Sequence, residues 1–433
     1  MKPVNIGLLG LGTVGGGTAA VLQDNAAEIS RRLGREVRIS AVCDLSEEKA
    51  RQTCPSAAFV KDPFELVARE DVDFVVELFG GTGIAKDAVL KAIENGKHIV
   101  TANKKLLAEY GNEIFPLAEE KNVMVQFEAA VAGGIPIIKA LREGLAANRI
   151  RSIAGIINGT SNFILSEMRE KGSAFADVLK EAQALGYAEA DPTFDIEGND
   201  AGHKITIMSA LAFGTPMNFP ACYLEGISKL DSRDIKYAEE LGYRIKLLGI
   251  TRKTDKGIEL RVHPTLIPES RLLANVNGVM NAVRVNADMV GETLYYGAGA
   301  GALPTASAVV ADIIDIARLI EADTDHRVPH LAFQPAQVQA QTILPMDEIT
   351  SSYYLRVQAK DEPGTLGQIA ALLAKENVSI EALIQKGVID QTTAEIVILT
   401  HSTVEKNIKR AIAAIEALSC VEKPITMIRM ESL

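Results

Sequence analysis

Along residues 1–130, short apolar runs alternate with longer stretches in which apolar positions recur at helical spacing. The runs predict strands at Val4–Leu9, Val37–Cys43, Phe74–Leu78, His98–Thr101 and Val123–Glu128. The longer stretches predict helices at Thr13–Leu33, Pro63–Arg69, Ile84–Asn95 and Lys105–Lys121. Strands this short and this uniformly apolar belong in a parallel sheet covered by helices on both faces.

Residues 131–322 carry a mixed pattern. Helices are expected at Gly134–Ala147, Ser161–Lys171, Ala174–Leu185, Asp200–Phe213 and Ala306–Glu321. Strand-like runs read "RIRSIAGIIN", "RIKLLGITR", "GIELRVHPTLI", "GVMNAVRVNA" and "DMVGETLYYG". Several are consecutive, which predicts a partly antiparallel sheet with helices on one side. Residues 323–350 hold three prolines and little periodicity, the pattern of a linker. Residues 351–433 then give strand, helix, strand, strand, helix, strand at Tyr353–Ala359, Gly364–Glu376, Ile380–Lys386, Thr393–Leu399, Val404–Ala417 and Thr426–Met430. That order fits the ferredoxin-like split βαβ motif. The expected whole is an α/β protein of three domains and a linker.

The 433 residues, 47% hydrophobic and 23% charged, suffice for more than one core. A formal net charge of -11 gives no attraction to a phosphate backbone or an anionic membrane, so neither nucleic acid nor membrane is an expected partner. Cys43, Cys54, Cys222 and Cys420 are scattered without metal-ligand spacing, as in a reduced cytoplasmic protein. The opening "MKPVNIGLLGLG" enters a strand directly and is too short and glycine-rich for a signal peptide.

Chemistry enters with "GLLGLGTVGGG". Gly10, Gly12 and Gly15 have the G-x-G-x-x-G spacing, and Thr13 and Val14 open the following helix. The first glycine permits the turn, the second lets a pyrophosphate approach the backbone, and the third lets helix and strand pack closely. A helix N-terminus supplies free N–H groups for the phosphates. The motif follows a strand and precedes a second strand ending in Asp44, the context of a Rossmann-type dinucleotide site. Asp44 suits a ribose 2′-hydroxyl and thus NAD; Lys49 or Arg51 suits the 2′-phosphate of NADP; Asp44 also suits a helix start before "SEEKA". Either cofactor, NADP or NAD, is expected. "DFVVELFGGTG" places Glu77, Gly80 and Gly81 at a later strand end, and "HIVTANKK" ends the next strand with Thr101, Asn103, Lys104 and Lys105, of which Lys104 is expected near the same crevice.

The stretch "ALGYAEADPTFDIEGNDAGHK" concentrates acids ahead of one lysine. With "GLLGLGTVG", "VELFGG", "TANKKLLA", "EAAVAGGIPII", "GIINGTSNFIL" and "YYGAGAGALPTASAVVAD" in order around it, the chain resembles the homoserine dehydrogenases from Val4 to Ile320. The resemblance implies reversible NAD(P)H-dependent reduction of L-aspartate 4-semialdehyde to L-homoserine. It assigns Glu189 to substrate, Lys204 to proton donation, and Asp200 with Lys104 to assistance. It also places Gly159, Thr160 and Gly301 along the cofactor and substrate crevice. The chemistry agrees: Glu189 and Asp195 are suited to an ammonium group. Asp200 and Lys204 stand four apart on one helix face, and a carboxylate there favours the charged lysine that a reduction needs. An ordinary surface ion pair gives the same spacing.

The resemblance further implies a monovalent cation, sodium, held by Glu128 and the carbonyls of Val131, Gly133 and Ile135; oxygen ligands suit a hard ion. A Gly-Gly turn capping a helix would read the same way. His98, His203, His263, His326 and His330 have no metal-ligand spacing, and Cys222 reads as a buried thiol.

"LRVQAKDEPGTLGQIAALLAKENVSIEALIQKG" resembles the ACT domain. That implies an amino-acid effector, threonine by pathway logic, with Asp361 and the helix start available for its polar ends, and it implies a homo-oligomer. An RNA-binding domain shares the element order, yet the central strands lack its exposed aromatics. Two other functions compete. An aspartate-semialdehyde dehydrogenase would need a cysteine nucleophile in a suitable motif. A non-catalytic dinucleotide and amino-acid sensor would keep the fold without turnover.

Overall fold

A computed structural model describes residues 2–323, 326–388 and 393–433. Two residues of the expected linker, Thr324 and Asp325, lie outside the described residues. The chain forms two compact units. One comprises Met1–Ile153, Asp200–Pro220 and Val279–Gln341; the other comprises Ala154–Asn199, Ala221–Gly278 and Thr342–Leu433.

One sheet of the first unit has six strands: β1 (Val4–Leu9), β2 (Val37–Cys43), β3 (Ala58–Phe59), β4 (Phe74–Glu77), β5 (His98–Thr101) and β6 (Val125–Gln126). Their order is β3-β2-β1-β4-β5-β6, every neighbour parallel. The winding reverses between β1 and β4, so a crevice lies beyond their carboxyl ends. Ile6, Leu8, Phe74, Val76 and Val100 are sealed by the helices Thr13–Asp24 and Ala302–Leu319, the latter through Val309, Ile313 and Ile316. Gly17 permits that packing, since a Cβ there would sit 2.7 Å from the carbonyl oxygen of Ala302.

Two expectations here change. The helix expected over Thr13–Leu33 is two, Thr13–Asp24 and Ala26–Leu33, broken at Asn25, whose φ and ψ of -103° and 17° are not helical. The helix expected over Gly134–Ala147 shrinks to Ile137–Lys139 followed by a π-turn at Ala140–Gly144. Gly133 at φ 48° and the missing N–H of Pro136 delay its start. Residues 326–341 stay attached to this unit: His330 Nε2 accepts the Val125 N–H at 3.1 Å, and Gln341 donates to the Phe213 carbonyl at 2.7 Å.

In the second unit, strands Tyr243–Thr254 and Gly257–Pro268 form a long antiparallel hairpin. The βαββαβ module follows, with strands Thr350–Lys360, Ile380–Val388, Thr393–Thr400 and Val421–Met430 and helices Thr365–Lys375 and Glu405–Glu416. Tyr353, Leu355, Ile369, Leu373, Ile398, Ile408 and Ile415 make its own core. Its edge strand continues the hairpin's sheet: Thr265 and Leu266 pair in parallel with Arg429 and Met430. Buried charge secures the junction. Arg356 meets Asp234 at 2.6 and 3.0 Å, Tyr354 donates to Asp234 at 3.0 Å, and Glu395 lies 3.2 Å from Arg356.

Candidate active site

The glycine turn after β1 has the form its sequence requires. Gly10 has φ 95°, and a Cβ on Gly15 would lie 2.0 Å from the Gly10 carbonyl oxygen. Around Gly12 the space is open for 4 Å, room for a pyrophosphate against bare backbone. Thr13 is exposed and Val14 half-buried on the first turn, and no side chain caps that helix start. Asp44, at the end of β2, accepts the Leu11 N–H at 2.7 Å and the Ser46 N–H at 3.0 Å. It therefore ties the glycine turn to the neighbouring strand. Arg51 is paired with Glu47 on its own helix, 2.5 Å away.

At the end of β4, buried Glu77 accepts N–H groups of Phe79 and Gly80 at 2.9 and 3.3 Å and the Thr101 hydroxyl at 2.6 Å. Burial pushes its carboxyl above the usual range, against these bonds. Gly80 and Gly81 follow at φ 75° and 71°. Asn103 extends the network: its N–H reaches Thr101 Oγ1, its amide donates to the Gly81 carbonyl at 2.7 Å, and its Oδ1 caps the helix Lys104–Glu120. Gly301, at φ 118°, precedes the helix Ala302–Leu319.

That Asn103 cap puts Lys104 on the first turn of its helix, and Lys104 Nζ reaches Asp200 Oδ1 at 3.1 Å. Asp200 stands in the first turn of the helix Asn199–Phe213, and its Oδ2 receives Lys204 Nζ at 2.6 Å. Asp200 and Lys204 are only 4% and 8% exposed, so the pair is not a surface i,i+4 bridge. One carboxylate thus orients two ammonium groups. His203, one residue away, packs on Phe219 with ring centroids 4.1 Å apart, and burial drops its pKa to about 4.

The remaining expected substrate residues gather in the second unit. Asn158 caps the helix Gly159–Lys171 and donates to Asp195 Oδ1 at 2.8 Å. The Thr160 hydroxyl donates to the Tyr187 carbonyl at 2.7 Å, which fixes the turn leading to exposed Glu189. Asn158 was not singled out in the sequence; an asparagine before Gly-Thr-Ser at a helix start was its available signal.

Glu128 is buried after β6. Its two oxygens accept the Ile138 and Lys139 N–H groups at 2.8 Å each, and burial pushes its carboxyl up. Its own N–H donates to Asp312 Oδ2 at 2.8 Å, a partner with no sequence signal. Gly133 is wedged where a Cβ would meet the Gly299 carbonyl oxygen at 2.6 Å, and the Ile135 carbonyl accepts the Ile137 N–H at 2.8 Å. Among the described residues no cluster of three His, Cys, Asp or Glu forms a metal site. Thiol chemistry is poorly placed: burial pushes Cys43 and Cys54 up to about 11.

Residues 136–314 match the family described as homoserine dehydrogenase, residues 10–128 its NAD binding domain, and residues 353–420 the ACT domain. Over 433 residues, all of both chains, the sequence is 95% identical to the homoserine dehydrogenase of Neisseria gonorrhoeae (strain ATCC 700825 / FA 1090). The chain belongs to the homoserine dehydrogenase family. A crystal structure of a homoserine dehydrogenase from Thiobacillus denitrificans is similar at TM-score 0.96 and 61% identity, covering 100% of this chain and 99% of that one. A hyperthermophilic archaeal homoserine dehydrogenase in complex with NADPH is similar at TM-score 0.62 and 30% identity, over 75% of this chain and 100% of that one. As a homoserine dehydrogenase with an NAD-binding domain and a C-terminal ACT domain, the chain is an NAD(P)-dependent oxidoreductase of amino-acid biosynthesis. No helix among the described residues is long and apolar enough to cross a membrane.

Proposed function

We propose that the chain reduces L-aspartate 4-semialdehyde to L-homoserine with Lys204 as the proton donor, and runs the reverse reaction when homoserine is in excess. When bound, a dinucleotide would supply the hydride for the aldehyde carbon. Lys204 Nζ gives its proton to the carbonyl oxygen as negative charge develops there, then regains one from solvent. Asp200 holds that ammonium in place and favours its charged form; Lys104, on the other oxygen, assists. Glu189 and Asp195, with Gly159 and Thr160 at the adjoining helix start, bind the substrate's ammonium and carboxylate.

The cofactor rests on Gly10, Gly12, Thr13, Val14 and Gly15, with Asp44, Gly80, Thr101, Lys104 and Gly301 beside it. Asp44 keeps lone pairs for a ribose hydroxyl, which suits NAD; Arg51, exposed and held only by a surface pair with Glu47, stays available to the 2′-phosphate of NADP, so both are accepted. The cation reading, sodium at Glu128 with the Val131, Gly133 and Ile135 carbonyls, is supported by a carboxylate with two lone pairs left after its two N–H bonds. We assign residues 1–130 to cofactor, 131–322 to substrate, 323–350 to connection, and 351–433 to regulation by an amino acid, threonine first. The enzyme works as a cytoplasmic homo-oligomer in this reading.

The sharing of Asp200 by Lys104 and Lys204 carries the catalytic assignment. Oxidation of NADPH and NADH with aspartate semialdehyde, with and without threonine, tests it. Turnover by Lys204→Met at the wild-type rate would overturn it.

A further inference from the structure

A cavity of about 420 Å³ opens within the second unit, between the hairpin strands and the βαββαβ module. None of its lining residues belongs to the candidate active site. Tyr243, Arg252 and Pro268 come from the hairpin, while Ser352, Glu381 and Ser402 come from the module. The volume lies within the range of about 300–1,000 Å³ usual for small-molecule sites.

We propose that this cavity is where a regulatory amino acid binds, as a zwitterion with a short hydroxylated side chain. The inference rests on the reading that an amino-acid effector acts on this enzyme, and it places that effector away from the Asp361 loop. Asp361 itself accepts a hydrogen bond from Gln385 at 3.0 Å.

The lining carries one cation, Arg252, and two carboxylates, Glu381 and Glu431. Arg252 is held by Glu431 at 2.8 Å and Glu259 at 3.4 Å, which fixes its plane and leaves further N–H donors for a carboxylate. Arg261, fully buried, holds the other oxygen of Glu431 at 2.5 Å, so the arrangement is braced from behind. The hydroxyls of Ser352 and Ser402 add neutral donors. Glu381 is exposed and has no ion-pair partner among the described residues. It faces Tyr243: burial, and then the Glu381 charge, push the Tyr243 hydroxyl upward. An ammonium there would complete charge-assisted bonds to Glu381 with Tyr243 alongside. The apolar lining is confined to residues such as Pro268 and Met430, which matches a short side chain.

The location also couples to the sheet. A ligand touching Glu381, Ser402, Tyr243 and Pro268 at once senses how the module's strands stand against the hairpin, so its affinity differs between arrangements of the two.

Isothermal titration of L-threonine, L-serine and L-leucine into the full chain tests the assignment, with Glu381→Gln, Ser352→Val and Asp361→Asn beside wild type. The proposal expects threonine and serine to bind more tightly than leucine. Threonine affinity should fall about tenfold in Glu381→Gln and Ser352→Val and stay within about twofold in Asp361→Asn, with basal turnover unchanged in Glu381→Gln. Loss in Asp361→Asn alone would leave the effector reading standing and overturn this location. Absence of binding by all three amino acids to wild type would remove the effector reading and this site together.

Discussion

Lys204 Nζ lies 2.6 Å from Asp200 Oδ2, one helical turn away and out of bulk water. Two ammonium groups therefore depend on one carboxylate for their placement. Lys204→Met should lower kcat by about 10²–10⁴-fold, the usual worth of a positioned general acid. Cofactor affinity, read by fluorescence titration, should hardly change, because Asp200 keeps Lys104 as a partner. A loss confined to KM would contradict proton donation.

The two glycines of the turn should fail differently. Gly15→Ala forces a Cβ to 2.0 Å from the Gly10 carbonyl, so the helix must leave its strand and the melting temperature should drop by several degrees. Gly12→Ala meets nothing within 4 Å and should fold normally. It should instead raise the cofactor Kd about tenfold or more, because the methyl occupies the pyrophosphate's approach. Differential scanning calorimetry beside cofactor titration separates the two. Equal melting temperatures would show that the close contact is relieved some other way.

The same contrast explains what the chain disclosed before its structure. Gly10, Gly12 and Gly15 were legible because each answers a local steric demand that spacing reveals. The pairing of Asp200 with Lys204 was legible because a helix repeats every 3.6 residues. Lys104 was placed near the crevice, but its bond to Asp200 spans 96 positions and only folding creates it. Asp312 behind Glu128 and Asn158 beside Asp195 were hidden for the same reason. Helix Ser232–Glu240 was missed although Asp231 caps it, and helix Glu47–Thr53 was legible only as one alternative, a helix start before "SEEKA", because each is too short to establish periodicity.

Glu189 is exposed and carries no fold-forming ion pair among the described residues. Glu189→Gln should melt with wild type and raise the KM for aspartate semialdehyde about tenfold, with a smaller change in kcat. Unchanged kinetics would remove it from substrate binding.

Lys246 is buried, and as an ammonium it donates to Asn162 Oδ1, the Val276 carbonyl and Asn277 Oδ1, all neutral acceptors; the neutral amine keeps two of these bonds. Burial lowers its pKa from 10.5 to about 7. Between those values the unfolded chain binds the Lys246 proton and the folded chain does not, so stability rises with pH across that window. Lys246→Met should lack this rise. Urea midpoints at pH 7, 8 and 9 would show the wild type gaining on the variant; parallel trends would count against a neutral buried lysine.

Asp234 is fully buried, with Arg356 at 2.6 Å and the Tyr354 hydroxyl at 3.0 Å. Asp234→Ala takes from buried Arg356 its nearest carboxylate, leaving Glu395 at 3.2 Å, and should cost about 3 kcal/mol in denaturant unfolding. Replacing Tyr354 by Phe removes one bond to the same carboxylate and should cost only about 1 kcal/mol.

The parallel register of Thr265 with Arg429 has a further result for the life of the polypeptide. During synthesis, Thr265 and Leu266 leave the ribosome long before Arg429 and Met430 exist, so that end of the strand waits bare while Arg261 and Val262 are already covered by Tyr223 and Leu224. Trimming the regulatory module would return it to that condition. Such a shortened enzyme should be sticky and prone to clumping, rather than simply released from feedback.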